Sequence, residues 1–338
     1  MLDAAAAPPA AVLDLLSRHK AGVIALLLTL ALLFVVVSLL MAPVEALGWW
    51  AGWFGEGLDE PGEADAADYT AVRAGKQPKL YIVYLDGIAK VDHDNYEDVQ
   101  GLLDGLDAGL PEAVVLGDVM PYSVRNVGLT QDRPFSRFWR QMFKFKLEGR
   151  QPLLAFSINV RNLLQVLVAA DRRYGPVYGR GEAQVILTSL LRSGYDPVSR
   201  PPIVIVGYSG GVQIGLVATP FLKRALATPI TMISLAGVMS SDPGLAYLEH
   251  FYDLAGSSDA IPAYGRVAFP GRWRVWWGSH WNRLLRAGKV TRIAMGPMKH
   301  NGAGSYLDDE AFIDGRDHRS ITTATIVEVV KVIEARRA

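Results

Sequence analysis

The chain contains no cysteine among its 338 residues. Disulfides, thiolate metal sites and cysteine nucleophiles are therefore excluded. Neither sign of charge is in excess, since 34 Lys and Arg balance 34 Asp and Glu. A nucleic-acid partner would leave a basic footprint, so no nucleic acid is expected. Histidine is scarce, six in all. None has the spacing of a metal-ligating pattern such as HExxH, so no metal is expected either. No internal repeat is visible. What the chain does have is apolar residues, 50 % of the total. That is enough for one large domain or two modest ones with a substantial core.

One stretch lacks charge altogether: "AGVIALLLTLALLFVVVSLLM", residues 21–41. At 1.5 Å per residue it covers a hydrocarbon core of about 30 Å. A soluble core helix is rarely apolar on every face over such a length, and a signal peptide usually has a shorter apolar region. The run is expected to be an uncleaved transmembrane anchor. Arg18, His19 and Lys20 precede it, whereas Glu45, Glu56, Asp59, Glu60, Glu63, Asp65 and Asp68 follow, with no Lys or Arg until Arg73. By the positive-inside rule residues 1–20 form a cytoplasmic tail and the bulk of the chain lies outside the cytoplasm. Trp49, Trp50 and Trp53 read as a collar at the headgroup level. Residues 42–78 are then an interfacial segment and an acidic linker, and membrane lipid is an expected partner. The folded domain is expected over 79–338, with 129–180 as a candidate lid or insertion.

Within that domain strand-like and helix-like runs alternate. Strands are expected at 79–86, 112–118, 201–209, 229–237, 250–256 and 290–296. Helical stretches lie between them, at "NYEDVQGLLDGLDAGL", "NVRNLLQVLVAADRRYG", "GEAQVILTSLLRSG" and "GVQIGLVATPFLKRALA", and a last one ends the chain. Such alternation predicts an α/β fold, a mostly parallel sheet with helices on both faces. The unbroken hydrophobicity of "PPIVIVGYS" suits a strand buried on both sides.

That strand runs into Gly-Tyr-Ser-Gly-Gly, a GxSxG pattern centred on Ser209 and followed by a helical stretch. A sharp strand-to-helix turn there would strain the serine backbone and expose its hydroxyl. Gly207 and Gly211 flank it where strand and helix nearly touch. Gly210 would offer its N–H to an oxyanion at the positive end of the helix. A phosphate-binding loop is the rival reading, but the lysine of GxxxxGK[ST] is missing. A serine hydroxyl needs a base and an orienting acid. Asp259 follows the fifth predicted strand and His300 follows the sixth, both where parallel sheets hold their sites. His318 and His280 lie in less suitable places, and His250 is at the wrong end of its strand. Asp253 falls inside a strand, and Asp242, one loop earlier, is the alternative acid.

The strand–GxSxG–helix context, with Asp259 and His300 following in that order, resembles the α/β-hydrolase superfamily over roughly residues 79–335. The resemblance implies a Ser209–His300–Asp259 triad, an acyl-enzyme and no cofactor. It implies that the second oxyanion donor comes from the loop after the first strand, the N–H of Ile88 or Gly87. Many members carry His-Gly at that point; this chain has Asp86-Gly87. The expected activity is serine hydrolysis of a carboxylic ester or thioester of lipid-like or apolar character. The alternatives are an acyltransferase, or a membrane-tethered scaffold without chemistry.

Three further segments bear on substrate. "PFSRFWRQMFKFKLEGR" interleaves Arg137, Arg140, Lys144, Lys146 and Arg150 with aromatic residues. It reads as a lid or a surface resting on anionic headgroups, or equally as an ordinary helix with a buried aromatic face. Trp273, Trp276, Trp277 and Trp281 are candidates for an acyl pocket. Tyr174 and Tyr178 are expected in a loop overhanging the site.

Overall fold

Residues that alternate between two apolar environments build the centre of the protein. The computed structural model describes residues 20–51, 78–91, 96–131 and 135–337. Residues 1–19, expected as a cytoplasmic tail, and residues 52–77, which include Trp53 and most of the expected linker, lie outside the described residues. The strands are β1 (Leu80–Leu85), β2 (Ala113–Leu116), β3 (Ile203–Tyr208), β4 (Ile230–Leu235), β5 (His250–Ala255) and β6 (Val290–Ala294). They form one six-stranded sheet in the order β2-β1-β3-β4-β5-β6, and every pairing is parallel. The protein is thus α/β, and each expected strand is present. A short antiparallel pair, β7 (Phe312–Ile313) and β8 (Arg316–Asp317), stands apart.

Side chains leave the pleat alternately. Leu80, Ile82 and Tyr84 of β1, with Val204 and Val206 of β3, face one core. That core is closed by α2 (Glu97–Gly109) and the terminal helix α10 (His318–Ala335). Tyr81, Val83 and Leu85 face the other, with Ile203 and Ile205. It is closed by α6 (Gly175–Arg192), α7 (Gly211–Leu226) and α9 (His280–Arg286). On α2, Gly101, Gly105 and Gly109 lie four residues apart. A Cβ on any of them would come within 2.8 Å of Arg319, Thr323 or Val327. The bare ridge lets α10 close on α2.

The remaining helices form a third layer. α1 (Lys20–Trp50) continues past Met41 through Pro43, and its C-terminal half packs against the domain. α3 (Ser136–Leu147), α4 (Pro152–Ala155) and α5 (Ser157–Ala170) lie beside it, and α8 (Ile261–Ala268) follows β5. A third cluster joins Ala46 and Trp49 of α1 to Tyr122, Trp139, Val166 and Tyr178. Trp49 is therefore a core residue, 3 % exposed, and not part of a headgroup collar. A helix that keeps running for nine residues carries Trp49 into contact with the ridge around Gly181. Tyr178 is likewise inside α6, its hydroxyl donating to the Pro121 carbonyl at 2.9 Å. Gly-Pro can open a helix, Pro at the first turn losing no needed N–H, so the expected loop is shorter and ends near Tyr174.

Candidate active site

The strand order reverses direction between β1 and β3. At such a switch point the carboxyl ends of the strands leave a crevice, and the GxSxG turn sits there. Ser209 follows β3 with φ of 52°, a left-handed conformation that a side chain adopts at a cost of about 1–3 kcal/mol. Three backbone bonds hold it. Its N–H donates to the Leu235 carbonyl at 3.0 Å, and its own carbonyl accepts from Val238 at 3.0 Å and Val212 at 3.3 Å. Close packing explains the flanking glycines. A Cβ on Gly207 would lie 2.8 Å from the Val212 backbone, and one on Gly211 would lie 2.2 Å from the Leu85 carbonyl oxygen.

His300 stands in the loop after β6. Its Nε2 is 2.8 Å from Ser209 Oγ and its Nδ1 is 2.9 Å from Asp259 Oδ2. A carboxylate only accepts, so Nδ1 carries the hydrogen and Nε2 accepts from the serine hydroxyl. The His300 ring stacks on Tyr208, centroids 5.6 Å apart, and the Tyr208 hydroxyl donates to the His300 carbonyl. Asp259 follows β5 with its side chain fully buried. Its Oδ1 accepts from the Ile261 N–H at 2.9 Å. Its Oδ2 also accepts from the Tyr306 hydroxyl at 2.9 Å, and that same hydroxyl accepts from Gly256 N–H at 2.7 Å.

Residues 86–91 form the loop after β1, and it abuts the serine turn. The Cβ position of Gly87 is 3.4 Å from Ser209 Cβ, and that of Gly210 is 3.1 Å from the Ile88 side chain. Of the two expected donors, Gly87 is committed elsewhere: its N–H goes to Asp86 Oδ1 at 2.7 Å. The N–H groups of Ile88 and Gly210 make no backbone hydrogen bond among the described residues. Burial pushes the Asp86 carboxyl up from its ordinary value, while Lys90, the Gly87 N–H and the Tyr84 hydroxyl pull it back.

The loop is gripped from outside. Asn162 Nδ2 donates to the carbonyls of Ile88 at 2.9 Å and Lys90 at 2.7 Å. Lys146 Nζ donates to the Ala89 carbonyl at 2.8 Å. Burial lowers the Lys146 ammonium to about 8. Tyr122, fully buried, donates to the Asp86 carbonyl at 2.9 Å. Val166 of α5 lies over Gly210, and Ser209 is only 5 % exposed.

The alternative acid, Asp242, is not the carboxylate bonded to His300. It caps the short helix after β4 and binds Gln213 Nε2 at 2.9 Å and Gly244 N–H at 2.7 Å. Asp253 lies within β5 and accepts from Ser234. Of the other histidines, His318 caps the Ser305 carbonyl and His250 meets Thr291. Trp281 is buried, whereas Trp276 and Trp277 border an open cleft of about 920 Å³. Neither Ser209 nor His300 is among the residues lining that cleft. Tyr306, Tyr122 and Asn162 carry no signal in their sequence context, and nothing in the context of Tyr208 or Lys146 points to the contacts they make here. Tyr306 reaches Asp259 across 47 residues and Asn162 reaches the Ile88 loop across 74.

Chemically, the arrangement offers a hydroxyl with a base in hydrogen-bond reach. The base is oriented by a buried carboxylate, and Gly210, before α7, lies beside Ile88 of the β1 loop. No protein-family model matches the chain, and no curated protein matches its sequence.

Proposed function

We propose that the protein is a membrane-anchored serine hydrolase of the α/β-hydrolase kind. The observation that carries this reading is the continuous chain Ser209 Oγ, His300, Asp259, at 2.8 and 2.9 Å, on a serine with φ of 52°. A structural serine has no need of such backbone strain, nor of a histidine held on its other side by a buried acid. In this reaction Ser209 attacks the carbonyl carbon of an ester or thioester while His300 Nε2 takes its proton. The tetrahedral oxyanion is received by the Gly210 and Ile88 N–H groups. His300 returns the proton to the leaving group, and water repeats the sequence on the acyl-enzyme. Asp259 holds the imidazole and stabilises its protonated form. No cofactor takes part.

The anchor is α1, whose window Ile24–Met41 has a mean hydropathy of 3.0. The basic flank before it supports an extracytoplasmic position for the catalytic domain. Anchorage beside the bilayer and an apolar third layer favour a lipid-like substrate.

A fluorophosphonate probe tests the chemistry. Wild type is expected to take up one adduct and Ser209→Ala none, with hydrolysis of acyl esters falling by about 10⁶-fold in the variant. Folded wild-type protein that stays unlabelled would refute the enzyme reading. Protease treatment of intact cells tests topology: a protected domain would overturn the outside placement.

A further inference from the structure

Helix α5 turns apolar residues outward. Its inward side is mixed, with Ser157, Arg161, Asn162 and Gln165 buried beside Ile158, Val166 and Ala169. Its outward side is apolar: Phe156 at its start, Leu163 and Leu167 are 56, 40 and 48 % exposed. A helix on a water-facing surface has the reverse arrangement. Leu154 of α4 and Leu147 at the end of α3 extend the same apolar surface, at 42 and 64 % exposed. Surface of this kind marks an interface.

What covers it follows from its neighbour. α1 packs along α5, so the apolar face is continuous with that of the anchor. Phe34 of α1 meets Phe135 and Phe138 of the α3 segment edge-on, both at 5.2 Å. Phe34 lies seven residues before Met41, the end of the apolar window, which is about 10 Å along the helix axis. Crossing a core of about 30 Å requires the whole window. The part of the domain that touches Phe34 therefore stands about 10 Å deeper than Met41, the depth at which interfacial helices lie. Arg137, Arg140 and Lys144, on the exposed side of α3, are long enough to bring their charges up to anionic headgroups.

We propose that α4, α5 and the start of α3 form a shoulder immersed in the leaflet that α1 enters, with lipid acyl chains against Leu163 and Leu167. The inference rests on the anchor reading of α1. Its consequence for the site is direct. Val166, on the inner side of α5, lies over Gly210, so acyl chains come within one helix diameter of Ser209. The substrate class that fits is an amphiphilic ester delivered from the bilayer.

The absence of cysteine makes the test clean. Nitroxide labels are placed singly at Leu28→Cys, Leu163→Cys, Leu167→Cys and Val198→Cys in the full chain, reconstituted in phosphatidylcholine–phosphatidylglycerol vesicles. Val198, 88 % exposed, is the aqueous reference. The labels at 28, 163 and 167 are expected to relax several-fold more with oxygen than with a water-soluble nickel chelate, and the label at 198 to do the reverse. If 163 and 167 match 198 while 28 stays in lipid, the shoulder is overturned and the anchor stands. Nickel access at 28 overturns both. Shielding of 163 and 167 from both relaxants, with dipolar broadening, puts a second copy of the chain on this face and also overturns the lipid proposal.

Discussion

A serine in the left-handed region survives only where its surroundings leave no alternative. Around Ser209 three backbone bonds and two glycine contacts below 3 Å do so. The acid is over-determined in the same way, and Tyr306 is the residue that shows it. Its hydroxyl donates to Asp259 Oδ2 and accepts from Gly256 N–H, so it ties the acid to the end of β5. Tyr306→Phe is expected to leave Gly256 N–H without its acceptor and to cost about 1 kcal/mol in stability. It should lower kcat about tenfold with little change in KM, since it acts on the transition-state imidazolium and not on substrate binding. The pH–rate profile is the decisive measurement: a positioning role moves the acid limb, where the general base takes up a proton, and a merely structural role leaves it in place. An unmoved limb would remove Tyr306 from the mechanism.

At the scale of elements, α6 carries an instructive misfit. Glu182 is fully buried, and neither carboxyl oxygen has a hydrogen-bond partner among the described residues. Burial therefore raises its carboxyl well above the ordinary value of 4.5. A group raised on folding lends its stability in full below its unfolded value and loses it as pH rises toward the folded one. The folded protein is thus penalised progressively as pH climbs above 4.5. Glu182→Leu is expected to stabilise the protein by about 1–3 kcal/mol at pH 7, with a smaller gain near pH 4.5. Denaturant midpoints at the two pH values check it. An equal gain at both would mean that the carboxyl is not neutral in the folded state.

For the molecule as a whole, the C-terminal half of α1 is built into the domain. Glu45 near its end accepts from Arg161 of α5 at 3.2 Å and from the Ser123 hydroxyl at 3.1 Å. The side chains of Arg161 and Glu45 are 3 and 13 % exposed. Arg161 in turn donates to Asn162 Oδ1 at 2.9 Å, and Asn162 grips the Ile88 carbonyl. Helix α1 is thereby linked to the loop proposed to offer the second oxyanion donor. Glu45→Ala leaves the arginine charge buried and is expected to cost about 3 kcal/mol in detergent-solubilised protein, together with a fall in kcat. The exposed pair Lys223–Glu249, at 3.6 Å, is the control, where Glu249→Ala should cost under about 1 kcal/mol. Comparable costs for the two variants would sever the proposed link.

Much of this was legible one-dimensionally, because the signals were local. Six β-rich runs, the charge-free stretch before them and the GxSxG turn each owe their form to neighbours within a few residues. Periodicity and turn chemistry report such neighbours directly. The order of Ser209, Asp259 and His300 was legible for a related reason, since parallel strands place every following loop at one edge of the sheet. The sequence already favours Asp259 over Asp242, but the fate of Asp242 required the fold, because only the chain path shows that it turns toward Gln213. The same holds for the commitment of Gly87 N–H to Asp86 and for the burial of Trp49. It holds above all for α5, whose Arg161 and Asn162 are drawn inward by partners 39 to 116 positions away. A helical wheel reports that α5 has two faces; only the packing of the β1 loop, α1 and α7 around it decides which one meets the outside.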